Sequence, residues 1–266
     1  MLLDHVDARQ GSFSSLRKTT IGGAACSPSM QKHFEDRYGV EVIHAWGMTE
    51  MSPLGTASAL MAEHSSLSRE EQQRLRLKQG RPVFGIDLRI VDDQGVVQPW
   101  NGTNCGHLQV KGHWVISAYF KDDCEQRLDD GWFATGDVAT LDANAYLQLT
   151  DRSKDVVKSG GEWLSTIDIE NIAMNHPAVA MAAALGVPHP KWGERPIVLV
   201  VRRKDAVVSR EEVLGLYEGK LAKWQTPDDV VFVDNIPLGA TGKMLKTELR
   251  KVLEDYALPD TASDNR

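Results

Sequence analysis

The stretch Asp151-Arg152-Ser153-Lys154-Asp155-Val156-Val157-Lys158-Ser159-Gly160-Gly161-Glu162-Trp163 divides this sequence. Charged residues crowd its first half, and a Gly-Gly pair, able to adopt backbone conformations closed to other residues, follows them. Such a run reads either as a solvated linker or as a ligand-facing segment in which Arg and Lys grip phosphate and ribose. The hydrophobic pattern changes across it. Upstream, Ile86, Leu88 and Ile90 alternate with polar residues up to the turn Asp92-Asp93-Gln94-Gly95, and Leu108 and Val110 repeat the alternation. Downstream, helical and strand patterns interleave. The spacing places a domain boundary inside Asp151–Asp155, giving parts 1–151 and 152–266.

Within the first part, residues 16–21 predict a strand ending at Gly22-Gly23, followed by a helix around 29–37 and a strand over Val40–His44. Ser68-x-x-Glu71 is a capping box that opens an exposed, highly polar helix to Lys78; the polar insert 61–79 suggests no role. In the second part Ile169, Ile172 and Ala173 share a helical face that Pro177 must end. Val179–Leu185, Ile197–Val201 and Val230–Val233 read as strands. Ser209-x-x-Glu212 caps a helix with Val213, Leu214, Tyr217 and Leu221 inward. A last helix puts Leu245, Leu249, Val252, Leu253 and Tyr256 on one stripe. The pattern is that of a compact α+β domain of about a hundred residues.

Composition excludes several classes. With 42% hydrophobic residues among 266, the chain can build a sizeable core, and its net charge of −7 lacks the footprint of a general nucleic-acid binder. Cys26, Cys105 and Cys124 form no CxxC or Cys/His metal spacing and read as reduced thiols. Asp4 and Asp7 stand where a signal peptide needs apolar residues. The longest apolar run, Ala178–Val187, is half the ~20 residues of a spanning helix. Asp264-Asn265-Arg266 is no peroxisomal address, so a cytoplasmic location is the expectation.

Four clusters carry chemistry. Ile43-His44-Ala45-Trp46-Gly47-Met48-Thr49-Glu50 offers an aromatic for a purine, a glycine for close approach, a hydroxyl for a phosphate oxygen and a carboxylate for Mg²⁺; a turn with a capping Thr and a first-turn Glu reads equally well. Asp137, closing Gly131-Trp132-Phe133-Ala134-Thr135-Gly136-Asp137, is an acceptor for two ribose hydroxyls or the residue of a hairpin turn. The Asp151–Trp163 run is the third. The fourth, Ile236-Pro237-Leu238-Gly239-Ala240-Thr241-Gly242-Lys243-Met244, puts a lysine on a Pro/Gly-rich loop before an amphipathic helix. It is not a Walker loop, because Pro237 and Met244 occupy the positions that need Gly and Ser/Thr. A lysine there suits delivery of one positive charge to a reacting centre.

Taken in order, aromatic-Gly-x-Thr-Glu, Gly106–Gly112, Thr-Gly-Asp, Asp-Arg-x-Lys-Asp…Gly-Gly and Thr-Gly-Lys resemble the motif series of the adenylate-forming (AMP-binding) superfamily. VVKSGGEWLST, GVPHPKWGERP and AKWQTP resemble its medium- and long-chain fatty acyl-CoA synthetases. The resemblance implies an α/β and α+β fold: the C-terminal part of the large domain, with a β-rich subdomain, then a small α+β domain. It implies formation of acyl-AMP from ATP and a carboxylic, fatty acid, then acyl-CoA after the small domain rotates. By motif, Trp46 stacks on adenine with His44 and Gly23 beside it, and Gly47 and Thr49 meet phosphate. Glu50 holds Mg²⁺, Asp137 binds ribose and Arg152 faces it. Lys154 is the hinge, and Lys158 and Trp163 lie near the nucleotide. Gly160 and Gly161 border the CoA channel, and Lys243 bridges carboxylate and α-phosphate. The family's Ser/Thr/Gly-rich loop ending in Pro-Lys-Gly does not occur in the sequence. The expectation is that most of the large domain precedes Met1, that the isolated chain has little activity, and that an apolar face is open around residues 16–60, for a missing half or a second copy. A non-catalytic remnant binding nucleotide or a partner, a carrier-loading adenylation domain, and luciferase-like oxygenation are the competing readings.

Overall fold

The computed structural model describes residues 2–121, 130–153, 155–239, 244–253 and 256–259. The chain divides into two compact units, Met1–Leu149 and Thr150–Arg266.

The first unit opens with α1 (Leu2–Ala8) and β1 (Lys18–Ile21). Ser27 then caps α2 (Pro28–Lys32), its hydroxyl accepting from the Met30 N–H, and the helix widens into a π-turn over His33–Arg37. β1 runs parallel to β2 (Glu41–Gly47), with Ile21 opposite His44. β3 (Leu54–Ala57), α3 (Arg69–Leu77) and β4 (Arg81–Pro82) follow, and the sheet order is β1-β2-β3-β4. A second sheet is a meander of β5 (Ile86–Val91), β6 (Gly106–Gly112), β7 (Phe133–Leu141) and β8 (Leu147–Arg152). The period-two residues do what their spacing requires: Ile86, Leu88, Ile90, Leu108 and Val110 all face one core that also holds Trp46, Met51, Phe133, Leu141 and Leu147.

The polar 61–79 segment has a physical explanation. Ser68 and Glu71 form the capping box of α3, but the helix is not simply exposed: Gln73 and Arg76 are buried. Arg76 grips Glu35 with both branches of its guanidinium, Nε to Oε1 at 3.1 Å and a terminal nitrogen to Oε2 at 3.2 Å. Gln73 and the Val42 amide donate to the same carboxylate. The segment is polar because its inner face satisfies a buried acid. His44 is fastened similarly: its Nδ1 lies 2.7 Å from the Leu77 carbonyl and its Nε2 receives the Cys26 N–H. Those partners require the neutral tautomer protonated at Nδ1. Burial holds its pKa below the ordinary 6.5.

The apolar face expected around 16–60 is not seen. Of the large apolar side chains in that window, only Met30 and Leu54, each 39% exposed, are open among the described residues. Leu16, Ile21 and Tyr38 instead pack on a small cluster of Cys26, Phe34, Val40 and Val42.

The second unit holds β9 (Val157–Ser159), β10 (Glu162–Leu164), α4 (Thr166–Met174), β11 (Val179–His189), β12 (Gly193–Arg202), α5 (Arg210–Gly215), β13 (Asp229–Phe232) and α6 (Lys246–Val252). The sheet order is β10-β9-β12-β11, with β13 parallel to β12. α4 covers one face with Ile169 and Ala173, joined by Val213 and Tyr217. Leu249 covers the other, against Leu185, Ile197 and Leu199. The last helix is shorter than its stripe suggested. It ends at Val252, whose side chain is 67% exposed, and Tyr256 reaches the core from beyond the helix. What read as a linker after Asp155 is the β9–β10 hairpin. Among the described residues no helix is long and apolar enough to cross a membrane.

Two consequences are measurable. Glu35→Ala leaves the Arg76 guanidinium buried without its partner and should destabilise the first unit by about 3–5 kcal/mol, read by urea unfolding. Because the folded pKa of His44 is depressed, its contribution is complete above about pH 6.5 and is lost as the pH falls below it. Thermal melts from pH 7.5 to 5.5 should therefore show a smaller fall in Tm for His44→Gln than for the parent chain.

Candidate active site

The parallel pair β1–β2 ends where the Gly-rich and aromatic motifs lie, the end of a sheet at which α/β proteins bind ligands. Gly22 sits against the Ala45 carbonyl, and Gly23, at φ +79°, turns the chain away from β1. Gly47 is required by its own chain: a Cβ there would stand 1.9 Å from the Pro53 carbonyl oxygen, so that space is already filled. Thr49 and Glu50 begin a single 3₁₀ turn, Thr49–Met51, with Thr49 exposed. Met51 anchors the turn in the core beside Trp46.

Trp46 is 7% exposed, and its ring lies against Gly55, where any Cβ would collide with it at 2.8 Å. Its indole N–H donates to Asp137 Oδ2 at 2.9 Å. Residues 91 positions apart thus meet, and the indole is largely enclosed. Asp137 is not in a terminal turn. It lies within β7, just after Gly136 at φ +72°, where the pairing with β6 slips register, and its N–H donates to Thr135 Oγ1. The kink is a bulge, a device that re-aims a strand side chain.

Glu50 is held by residues that the sequence reading passed over. The Tyr119 hydroxyl donates to Oε1 at 2.7 Å, and the Ile116 N–H donates to the Glu50 carbonyl. No local signal marks Tyr119; only the folded chain brings it there. A lone carboxylate of this kind suits Mg²⁺, which takes one or two carboxylates and completes its shell with water and substrate phosphates. No group of three acidic or His/Cys ligands occurs among the described residues.

His44 belongs to the same strand, but both of its ring nitrogens are committed to backbone groups. In the second unit Arg152 ends β8, and the β9–β10 hairpin carries Lys158, Gly160, Gly161 and Trp163. The Lys158 ammonium lies 4.2 Å from the centre of the Trp163 ring, a cation–π contact across the hairpin. Gly160 and Gly161 both have positive φ, +63° and +88°, which keeps the tip free of side chains. Trp192 lies against Gly160, its ring 3.1 Å from where a Cβ would be. Lys154 and Lys243 lie outside the described residues.

Residues 1–120 match the profile of AMP-binding enzymes, and residues 168–243 match that of the AMP-binding enzyme C-terminal domain. A 3-methylmercaptopropionyl-CoA ligase of Ruegeria lacuscaerulensis is 54% identical over 96% of this chain and 47% of its own length. A medium-chain-fatty-acid–CoA ligase of Ectopseudomonas oleovorans is 47% identical over 96% of this chain, again 47% of its own length. The ATP-bound structure of MatB from Rhodopseudomonas palustris superposes with a TM-score of 0.75 at 29% identity, covering 89% of this chain and 45% of that one. The chain therefore spans about half the length of the relatives it matches. With both profiles matched in order, on a mixed α/β framework shared with adenylate-forming enzymes, the chain belongs to the AMP-binding enzyme family.

Proposed function

We propose that the chain is the C-terminal half of an ATP-dependent acid–CoA ligase, with the sequence-read parts 1–151 and 152–266 supplying the nucleotide-holding end and the small mobile domain. The observation that carries this reading is the Trp46–Asp137 bond beside the Thr49–Glu50 turn, at the end of β1 and β2. A carboxylate held in this way supports a contact with adenosine hydroxyls, which would donate to it.

The reaction divides in two. A carboxylate oxygen of the acid attacks the α-phosphorus of ATP, the bond to the bridging oxygen breaks, and pyrophosphate leaves. The CoA sulfur then attacks the acyl carbon, and AMP leaves with the bonding pair. Asp137 accepts from the ribose, Arg152 faces it, and Thr49 donates to phosphate. Trp46 and Gly23 border the base, with His44 setting the strand behind them. Mg²⁺ at Glu50 would neutralise charge on the phosphates. Lys243 places a cation between the reacting carboxylate and the α-phosphate, where charge builds. Lys154 serves as the hinge, Lys158 and Trp163 lie near the nucleotide, and Gly160-Gly161 leaves room for the thiol arm. The names of the relatives support an acid with a short or medium apolar chain, such as a thioether acid or a medium-chain fatty acid.

The test is acyl-CoA formation from ATP, Mg²⁺, CoA and a panel of such acids, with the chain joined to an upstream half like that of its relatives. Lys243→Ala should slow acyl-AMP formation by about 10²–10³-fold while sparing CoA attack on supplied acyl-AMP. Gly161→Val should do the reverse; failure of both variants at the same half-reaction would refute the assignment. In the 266-residue chain alone, Asp137→Ala should weaken AMP binding about tenfold by calorimetry, the loss of charge-assisted hydrogen bonds.

A further inference from the structure

Arg195 is buried, yet no ligand role is open to it. A guanidinium has five N–H donors, and each has a partner here. Nε and one terminal nitrogen clasp Asp228 at 2.8 and 2.6 Å. The same terminal nitrogen also donates to the Thr226 carbonyl at 3.0 Å. The other donates to the Trp224 carbonyl and, at 3.0 Å, to Ser159 Oγ. The first four partners lie on one short segment, 224–228. The fifth, Ser159, immediately precedes Gly160-Gly161.

The neighbours of Arg195 repeat the attachment. The Trp192 carbonyl accepts from the Gly160 N–H at 2.9 Å, and Gly193 pairs with Ser159. Glu194 Oε2 accepts from the Lys158 N–H at 3.1 Å. Four consecutive residues therefore each take hold of the strand leading into the glycine turn. The turn needs this, because two glycines at positive φ have neither side chains nor conformational restriction of their own to fix them.

We propose that Arg195 is a positioning residue for CoA transfer: through Ser159 it sets the Gly160–Gly161 turn in the one conformation that receives the thiol arm. It touches no substrate. The proposal rests on the reading of that turn as the CoA-facing one.

The experiment uses the purified 266-residue chain and Ser159→Ala, which removes one acceptor and leaves the other four Arg195 bonds in place. Amide hydrogen exchange at Gly160 and calorimetric titration with CoA and, separately, with AMP are the readouts. Ser159→Ala should speed Gly160 exchange about tenfold and weaken CoA binding about fivefold. AMP binding should be unchanged even if Tm falls by a few degrees for the stranded Arg195 donor, a split that mere loss of fold would not give. Unchanged exchange in a chain that binds CoA overturns the role of Arg195 and leaves the site reading intact. Faster exchange with CoA binding absent or unaltered overturns the assignment of the turn to CoA, and Arg195 is then a brace alone. AMP affinity falling in parallel with CoA affinity also overturns the proposal.

Discussion

A buried ammonium survives only where carboxylates converge on it, and Lys246 organises the second unit on that condition. Burial by itself pulls its pKa down, but Glu170 and Asp151 outweigh that and hold it above the usual lysine range. Its nitrogen lies 2.9 Å from Glu170 and 3.1 Å from Asp151. Glu170 also accepts the Ala184 N–H, and Asp151 accepts the Thr166 hydroxyl. One cation thereby ties Asp151, the first residue and the middle of α4, β11 and the first residue of α6. Two of these ties flank residues proposed for the nucleotide and the reacting carboxylate: Asp151 adjoins Arg152, and Lys246 follows Lys243 by three positions.

The first unit works by the same economy with the signs reversed, since there a carboxylate is the buried group. Glu35 is surrounded by donors from α2, α3 and β2, and Asp137 is met by an indole. Removing either partner from such a set strands a charge or a donor in the core, which is why the polar residues of 61–79 are as constrained as the apolar ones beside them.

The sequence made the repeating elements legible, because period and capping are local. Ile86–Ile90, the box Ser68–Glu71 and the box Ser209–Glu212 stand as their spacing required. Elements whose reason for existing is non-local were hidden. β9 and β10 are three residues each and look like a charged linker until β12 is alongside them. The stripe ending at Tyr256 has the spacing of a continuous helix, although the tyrosine reaches the core through a hydroxyl bond to Asp229, not through helical phase. The site divides likewise. Its residue types and order were visible, but the Trp46–Asp137 bond, the Tyr119 hold on Glu50 and the Arg195 anchor join residues 36 to 91 positions apart.

The clasp between Trp192–Arg195 and Lys158–Gly160 has a further bearing on protein engineering. Every bond in it lies inside the second unit, and each residue of one segment answers to a residue of the other. The two segments are therefore a single cassette written in two places. A loop graft that imports one half from a distant relative would bring a foreign lock to a native key, whereas exchanging KSGG and WGER together preserves the match. Chimeras within this family are best cut so that both halves come from the same parent.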